Sequence, residues 1–326
     1  VELSDQFCGC VLGLAVGDAL GGPALRQTPA QLRVEHGVLR DMAGGGRRQL
    51  RPGETTDATA LMLCALDSYN VRGAFDPHDI AECFAATARS PHLALGPSTA
   101  AACRFLAEGY AFERAAQLAY ARVGPAQRLS GDCLPRVVPT GLLHYHDDLH
   151  LIGETRVVCS ITHLAELCRM SCVALNLALQ HMLLVGTGGL LEELIVYVEP
   201  RSAELAQWLK RVPNLRPERL DATGHVAAVL QAALWAALYC TSLEEGLVLV
   251  VNCGGEAPLL GSVAGALLGA RFGVEAVPAR WRERLEGWDT LDRAAGRMFA
   301  LSQRDSLPEP PGEAQTGTRQ PGERAG

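Results

Sequence analysis

Apolar residues in this chain recur three and four positions apart and almost nowhere alternate with polar ones, so the pattern predicts helices and no sheet. The first helical run opens near Ser4 or Asp5, either of which suits an N-cap, and stops at Gly21-Gly22-Pro23. Ala24–Arg51, with Gly44-Gly45-Gly46 and Arg47-Arg48, reads as a mobile surface loop. Thr55 and Thr56 then cap a helix through Asn70 that gathers Leu61, Cys64, Ala65 and Leu66 on one side. Further helical runs cover Pro77–Ser90, Ser98–Glu108, Ala111–Arg122, Arg136–Tyr145 and His163–Val185. A shorter pair spans Leu190–Val212, followed by Asp221–Cys240 and Leu243–Val251. The expected fold class is all-α, a compact orthogonal helical bundle.

Two of the apolar runs carry glycine at every fourth position. In Asn252–Gly273 these are Gly261, Gly265, Gly269 and Gly273; in Gln6–Gly22 they are Gly9, Gly13, Gly17 and Gly21. That spacing puts each set on one helical face. A glycine in a helix costs roughly 1 kcal/mol against alanine, so the expected return is close approach of another backbone. Small residues four apart also pack membrane helices, but Asp18 and Arg271 interrupt the runs before the ~18 apolar residues a bilayer span needs. Two buried helices of a globular protein, with no membrane partner, are the expectation. Gly254-Gly255 permits a tight turn ahead of the second helix, where Pro258 suits the first helical position.

At 326 residues and 48% hydrophobic content the chain can bury a large core, and with only 5% aromatics that core is built from Leu, Ala, Val and Gly. The net charge of −7 argues against a nucleic-acid footprint, although 28 arginines stand beside a single lysine, Lys210. Eleven cysteines include no zinc-type pair two residues apart; the closest spacings are Cys8/Cys10 and Cys168/Cys172. They read as apolar filler in a reducing compartment, with a Cys168/Cys172 metal pair as the open alternative. No basic region precedes the first apolar run, so a cytoplasmic location is expected. From Ser302 onward the chain is poor in apolar residues and rich in Pro, Gly and Glu, which divides it into a domain over 1–301 and a disordered tail over 302–326.

Three stretches carry a resemblance: Gly17-Asp18-Ala19-Leu20-Gly21-Gly22-Pro23, then Gly53-Glu54-Thr55-Thr56-Asp57-Ala58-Thr59, then Asn252-Cys253-Gly254-Gly255 with the glycine-spaced helix behind it. In this order they resemble the ADP-ribosylglycohydrolases, from about Gln6 to about Leu285. The resemblance implies an all-α fold, ADP-ribose or an ADP-ribosylated protein as partner, a monomer or homodimer, and two Mg²⁺ or Mn²⁺ ions ~3.5–4 Å apart in a central cleft. It assigns metal binding to Thr56, Asp57 and Glu256, with Asp57 and Glu256 also the catalytic candidates. Asp18, Gly96, Gly131, Asp132, Cys133, His163, Gly254 and Gly255 fall at positions implied to lie at the ligand.

Several expected donors are absent. The family's second aspartate after Thr-Asp is Ala58, and in its Gly-Gly-Asp-x-Asp-Thr pattern Glu256, Pro258 and Leu259 replace the aspartates and threonine. Its glutamate two residues beyond Pro23 is Leu25. In Ser130–Arg136 the resemblance implies a loop that packs on a diphosphate through glycine N–H groups; Asp132 stands at one glycine position. Gly96 and Thr99 are kept from a second ligand loop, and Thr162-His163 matches a Thr-His pair near the cleft. Thr56 and Asp57 serve equally as a helix cap, and His163 equally as a buried structural histidine. The expected function is therefore a degenerate family member that has lost two-metal hydrolysis and binds a nucleotide-like ligand or a protein partner; the alternatives are a hydrolase with at most one weakly held ion and a structural scaffold as in lens crystallins that resemble this family.

Overall fold

The computed structural model describes residues 1–304, and the expected disordered tail lies outside the described residues from Asp305 onward. Sixteen α-helices occur among the described residues: α1 (Leu3–Gly21), α2 (Pro29–His36), α3 (Asp57–Arg72), α4 (Pro77–Thr87), α5 (Pro97–Ala107), α6 (Phe112–Arg122), α7 (Leu134–Leu143) and α8 (Asp148–Ser160), then α9 (Glu166–Leu184), α10 (Leu190–Val198), α11 (Ala203–Arg211), α12 (Val226–Tyr239), α13 (Leu243–Val251), α14 (Ala257–Phe272), α15 (Ala279–Arg282) and α16 (Trp288–Ser302). The fold is all-α, and the only β-type pairings among these residues are two isolated bridges, Gly45 with Leu50 and Ser130 with His225.

The axis of the molecule is the antiparallel pair α1 and α14. A Cβ added to Gly269 would lie 1.8 Å from the carbonyl oxygen of Gly9, one on Gly265 would lie 2.0 Å from that of Gly13, and one on Gly261 would lie 2.2 Å from that of Gly17. No side chain fits at these positions, so the glycines let backbone meet backbone. Gly273, last of its series, ends α14 with a φ of 78°, a value that glycine adopts without strain. Both helices are buried almost throughout their length. With its following turn, α1 forms a stretch, Leu3–Ala24, long and apolar enough to cross a membrane despite Asp18, as does α9; they are 94% and 72% buried inside the fold, as core helices are.

Around this axis pack α12, α13, α16, α3, α7 and α9. The core they share is aliphatic, as the low aromatic content implies.

Three expectations need correction. Neither Ser4 nor Asp5 caps α1; the helix begins at Leu3 after Glu2, with no side-chain cap. The segment 24–51 is no mobile loop. It contains α2, held by a capping box between Thr28 and Gln31, and it buries Leu32, Leu39, Met42 and Leu50. Asn252 bonds both the N–H and the carbonyl of Leu39, at 3.0 and 2.9 Å. Because α2 buries only Leu32, it has no apolar stripe for a periodicity reading to find. Third, the apolar pattern leaves out α8, whose start Asp147 caps by accepting from the N–H groups of Leu149 and His150. The last described helix, α16, ends at Ser302, beside the expected boundary at 301.

Candidate functional site

The N-terminus of α3 sits at the floor of a cleft of about 620 Å³, and the start of α14 forms one wall. Asp18, one turn before the end of α1, fixes the floor. Its carboxylate accepts four hydrogen bonds, from Thr56 N–H (2.8 Å) and Oγ1 (2.6 Å) and from Thr59 N–H (3.1 Å) and Oγ1 (2.6 Å). Burial pushes its pKa up to about 6 while these bonds pull the other way. Asp18 therefore lies behind the cleft and caps α3 from another helix; both its oxygens are engaged, and it does not reach the ligand space. Thr56 is the N-cap, its Oγ1 accepting from the N–H of Ala58 at 3.4 Å while donating to Asp18.

Asp57, the first residue of α3, faces the cleft. Its Oδ1 is 2.9 Å from Nη1 of Arg48, and Nη2 of the same guanidinium donates to the carbonyl of Ala94 at 2.7 Å. The pair is mostly withdrawn from solvent, with side-chain exposures of 18% for Arg48 and 12% for Asp57. Burial raises the Asp57 pKa and the arginine opposes that rise. Across the cleft Glu256 precedes α14, with Oε1 3.4 Å from Nε of Arg26. Arg47 lines the same space and is exposed; no carboxylate partner is found for it among the described residues. Leu25, Ala58, Pro258 and Leu259 complete this part of the lining with apolar surface.

These donors do not fit two divalent ions. Magnesium needs near-octahedral oxygen coordination anchored by carboxylates. Here one carboxylate is already paired with a guanidinium, the Thr56 hydroxyl is committed to Asp18, and Ala58, Pro258 and Leu259 offer no side-chain oxygen. A cation is present at Asp57, but it belongs to Arg48.

A second layer lies under the opposite wall. Asp132 reaches the cleft from the turn before α7. Its Oδ2 accepts from Thr99 Oγ1 at 2.6 Å, and its carbonyl accepts from Nη2 of the buried Arg136, also at 2.6 Å. Arg136 also donates to Thr99 Oγ1 at 3.1 Å and Thr162 Oγ1 at 2.9 Å. Nε2 of His163 lies 3.1 Å from Oδ1 of Asp132, a close charge contact whose direction falls short of a hydrogen bond, and neither atom has another partner. Thr162 Oγ1 is 2.9 Å from the other ring nitrogen. Burial works to raise the Asp132 pKa, but His163 and Arg136 hold it well below the ordinary carboxylate range. For His163 burial acts downward, and Asp132 with Cys133 lifts the pKa above its usual value.

Of the residues singled out in the sequence, Thr56, Asp57, Gly96, Asp132 and Glu256 line the cleft, while Asp18, Gly131, Cys133, His163, Gly254 and Gly255 do not. Gly131 gives its N–H to the carbonyl of Gly224 at 2.8 Å, so that amide is not offered to a phosphate. Gly254 and Gly255 form a junction instead of a ligand cradle. Gly255 N–H donates to Gln27, Arg26 N–H donates back to Gly255, and a Cβ on Gly254 would lie 2.1 Å from the Gln27 carbonyl. Cys133 and His163 are wholly buried behind Asp132.

Sequence reasoning missed Arg26, Arg48 and His225, which also line the cleft. His225 stacks on Trp208, with 5.6 Å between ring centres, and its Nδ1 has no partner among the described residues. The Arg47-Arg48 pair was visible, but only the tertiary path of segment 24–51 shows that it points inward.

Comparison with known proteins agrees with this architecture. The family profile described as ADP-ribosylglycohydrolase matches residues 1–308. The chain is 29% identical over 287 residues to the ADP-ribosyl-[dinitrogen reductase] glycohydrolase of Rhodospirillum rubrum, covering 87% of this chain and 92% of that relative. It is 28% identical over 306 residues to an ADP-ribosylarginine hydrolase of Pseudomonas putida, covering 90% of this chain and 78% of the relative. A solved structure described as an ADP-ribosylglycohydrolase-related protein complex superposes with a TM-score of 0.75 at 31% identity, covering 92% of this chain and 99% of the other. The chain belongs to the ADP-ribosylglycohydrolase family.

Proposed function

We propose that this family member holds ADP-ribose, or the ADP-ribosyl group of a modified protein, in its cleft without hydrolysing it, and that arginines do there the electrostatic work the family assigns to metal ions. The observation that carries the proposal is the Arg48–Asp57 pair, a guanidinium 2.9 Å from the first carboxylate of the metal motif. A diphosphate needs positive charge and N–H donors. Arg47 at the cleft wall is unpaired among the described residues, and Arg26 is only loosely engaged with Glu256. Guanidinium groups suit phosphate because two parallel N–H bonds match its geometry. His225 Nδ1 adds an unpartnered polar atom on the same lining.

Hydrolysis of a glycosidic bond needs an activated water and stabilisation of the leaving sugar. The residues at the expected carboxylate positions, Leu25, Ala58 and Pro258, supply neither. No step through a metal ion is assigned to this cleft. A second reading, a hydrolase with one ion at Thr56, Asp57 and Glu256, is favoured by the survival of Asp57 and Glu256 on the lining. The test is release of ADP-ribose from an ADP-ribosylarginine protein in millimolar magnesium. The proposal expects no release above the enzyme-free rate; release that chelator abolishes would overturn it in favour of the second reading.

A further inference from the structure

Four of the eleven cysteines meet at one place behind the cleft wall, although the sequence scatters them over three elements. Cys133 closes the turn before α7, Cys159 lies in the last turn of α8, and Cys168 and Cys172 stand one turn apart on α9. All four are fully buried. The sulfurs of Cys133, Cys159 and Cys172 lie within 4.8 Å of one another, and Cys168 interacts with Cys133 from outside that group, its Sγ donating to the Arg128 carbonyl at 3.3 Å. None is in a disulfide.

The geometry points to a metal site that is separate from the family's cleft: Cys133, Cys159 and Cys172, with Cys168 as the fourth donor, hold one soft, zinc-class ion. Zinc–sulfur bonds of about 2.3 Å put tetrahedral sulfurs about 3.8 Å apart, so the three thiols need close by no more than about 1 Å to share an ion. Three of these thiols donate to backbone carbonyls, Cys133 to Ser130 at 3.6 Å, Cys159 to His163 at 3.7 Å and Cys168 to Arg128 at 3.3 Å, bonds that an ion would replace. Each thiol that binds gives its proton to solvent, leaving an anionic cluster that a buried site must offset. Arg136, one helical turn beyond Cys133, provides a permanent positive charge that acts on Cys159. The proposal is independent of what the cleft binds, but it bears on the cleft. Cys133 follows Asp132 directly, so an ion here would clamp the turn that carries Asp132 to the ligand space.

The test uses the full chain, purified under reducing conditions without chelator. Metal analysis with native mass spectrometry should find one zinc-class ion per chain. Cobalt titrated into the metal-free protein should give thiolate charge-transfer absorption and tetrahedral visible bands at one equivalent. Cleft carboxylates cannot produce thiolate bands, which keeps the two sites distinguishable. Cys133→Ser and Cys172→Ser should each lose them, while Cys240→Ser, at a buried cysteine outside the cluster, should keep them; circular dichroism verifies that each variant is folded. Because the wild-type spectrum is read first, a variant that fails to fold does not remove the test. Absence of both ion and cobalt spectrum, in protein whose eleven thiols titrate as reduced after unfolding, would overturn the proposal. So would a disulfide mapped within the cluster, or thiolate bands unchanged by both substitutions.

Discussion

Arg48 and Asp57 meet at 2.9 Å on the floor of the cleft, nine residues apart in sequence and joined across the start of α3. Asp57 opens the helix, where the macrodipole favours a negative charge, and Arg48 arrives from the turn closed by the Gly45–Leu50 bridge, tied by its second nitrogen to the Ala94 carbonyl. The carboxylate thus has a fixed cation of its own.

Removing that cation leaves a buried carboxylate unpaired. Arg48→Ala should lower stability by roughly 3 kcal/mol, the usual consequence of breaking a buried ion pair. Asp57→Ala made in the same chain should restore part of the loss. Denaturant unfolding of the two single variants and the double variant measures this; a coupling near zero would show that the pair is not acting as one.

Restoring the missing donors should not suffice while Arg48 remains. Ala58→Asp with Pro258→Asp and Leu259→Thr is expected to bind magnesium only weakly, and addition of Arg48→Ala should strengthen that binding at least tenfold. Calorimetric titration with magnesium chloride reads the difference. Equal affinity with and without Arg48 would mean that the guanidinium does not compete for the site.

The Asp132–His163 contact predicts a window in pH. The pKa of Asp132 is lowered from the ordinary 3.8, so its contribution to stability is present above that value and lost as pH falls toward the depressed pKa. The pKa of His163 is raised from 6.5, so its contribution is present below that value and lost as pH climbs through the raised one. The stability advantage of wild type over Asp132→Asn should therefore be greatest between about pH 4 and 6.5, bounded by these ordinary values, and shrink on both sides. Unfolding free energies of both proteins from pH 3 to 9 check it; an advantage flat above pH 6.5 would remove His163 from the account.

The glycine seam predicts opposite outcomes for the same substitution. Gly265→Ala puts a methyl group 2.0 Å from the Gly13 carbonyl and should cost about 3 kcal/mol, the upper end of the usual range for overpacked cores, because backbone cannot move aside as a side chain does. Gly296→Ala, where nothing lies within 4 Å on α16, should stabilise by about 0.5–1 kcal/mol through helix propensity. Thermal melts of the two variants separate the cases.

Most of the fold was legible because the features that make it are local. The fourth-residue glycines identify the central pair without reference to any other helix, and Thr56 marks the start of α3 by its own side chain. What the sequence hid is what depends on distant partners. Asp18 reads as a ligand residue until the four donors of Thr56 and Thr59 are seen to fill it. Gly131 reads as a phosphate loop until its N–H is found bonded to Gly224. Arg48 reads as surface charge because nothing within segment 24–51 indicates that its fold turns inward, and the four clustered cysteines lie on three elements with no metal-type spacing. The missing donors at Ala58, Pro258 and Leu259 needed no structure, since a side chain without oxygen lacks it in any conformation.

The central claim, that arginine has taken over from metal in this cleft, is tested most directly by calorimetric titration of the full chain with ADP-ribose, once in millimolar magnesium and once in chelator. The account predicts binding of the same affinity in both buffers, weakened by added salt as guanidinium–phosphate contacts are. Binding that appears only with magnesium would contradict it, and absence of binding in both buffers would remove ADP-ribose as the ligand.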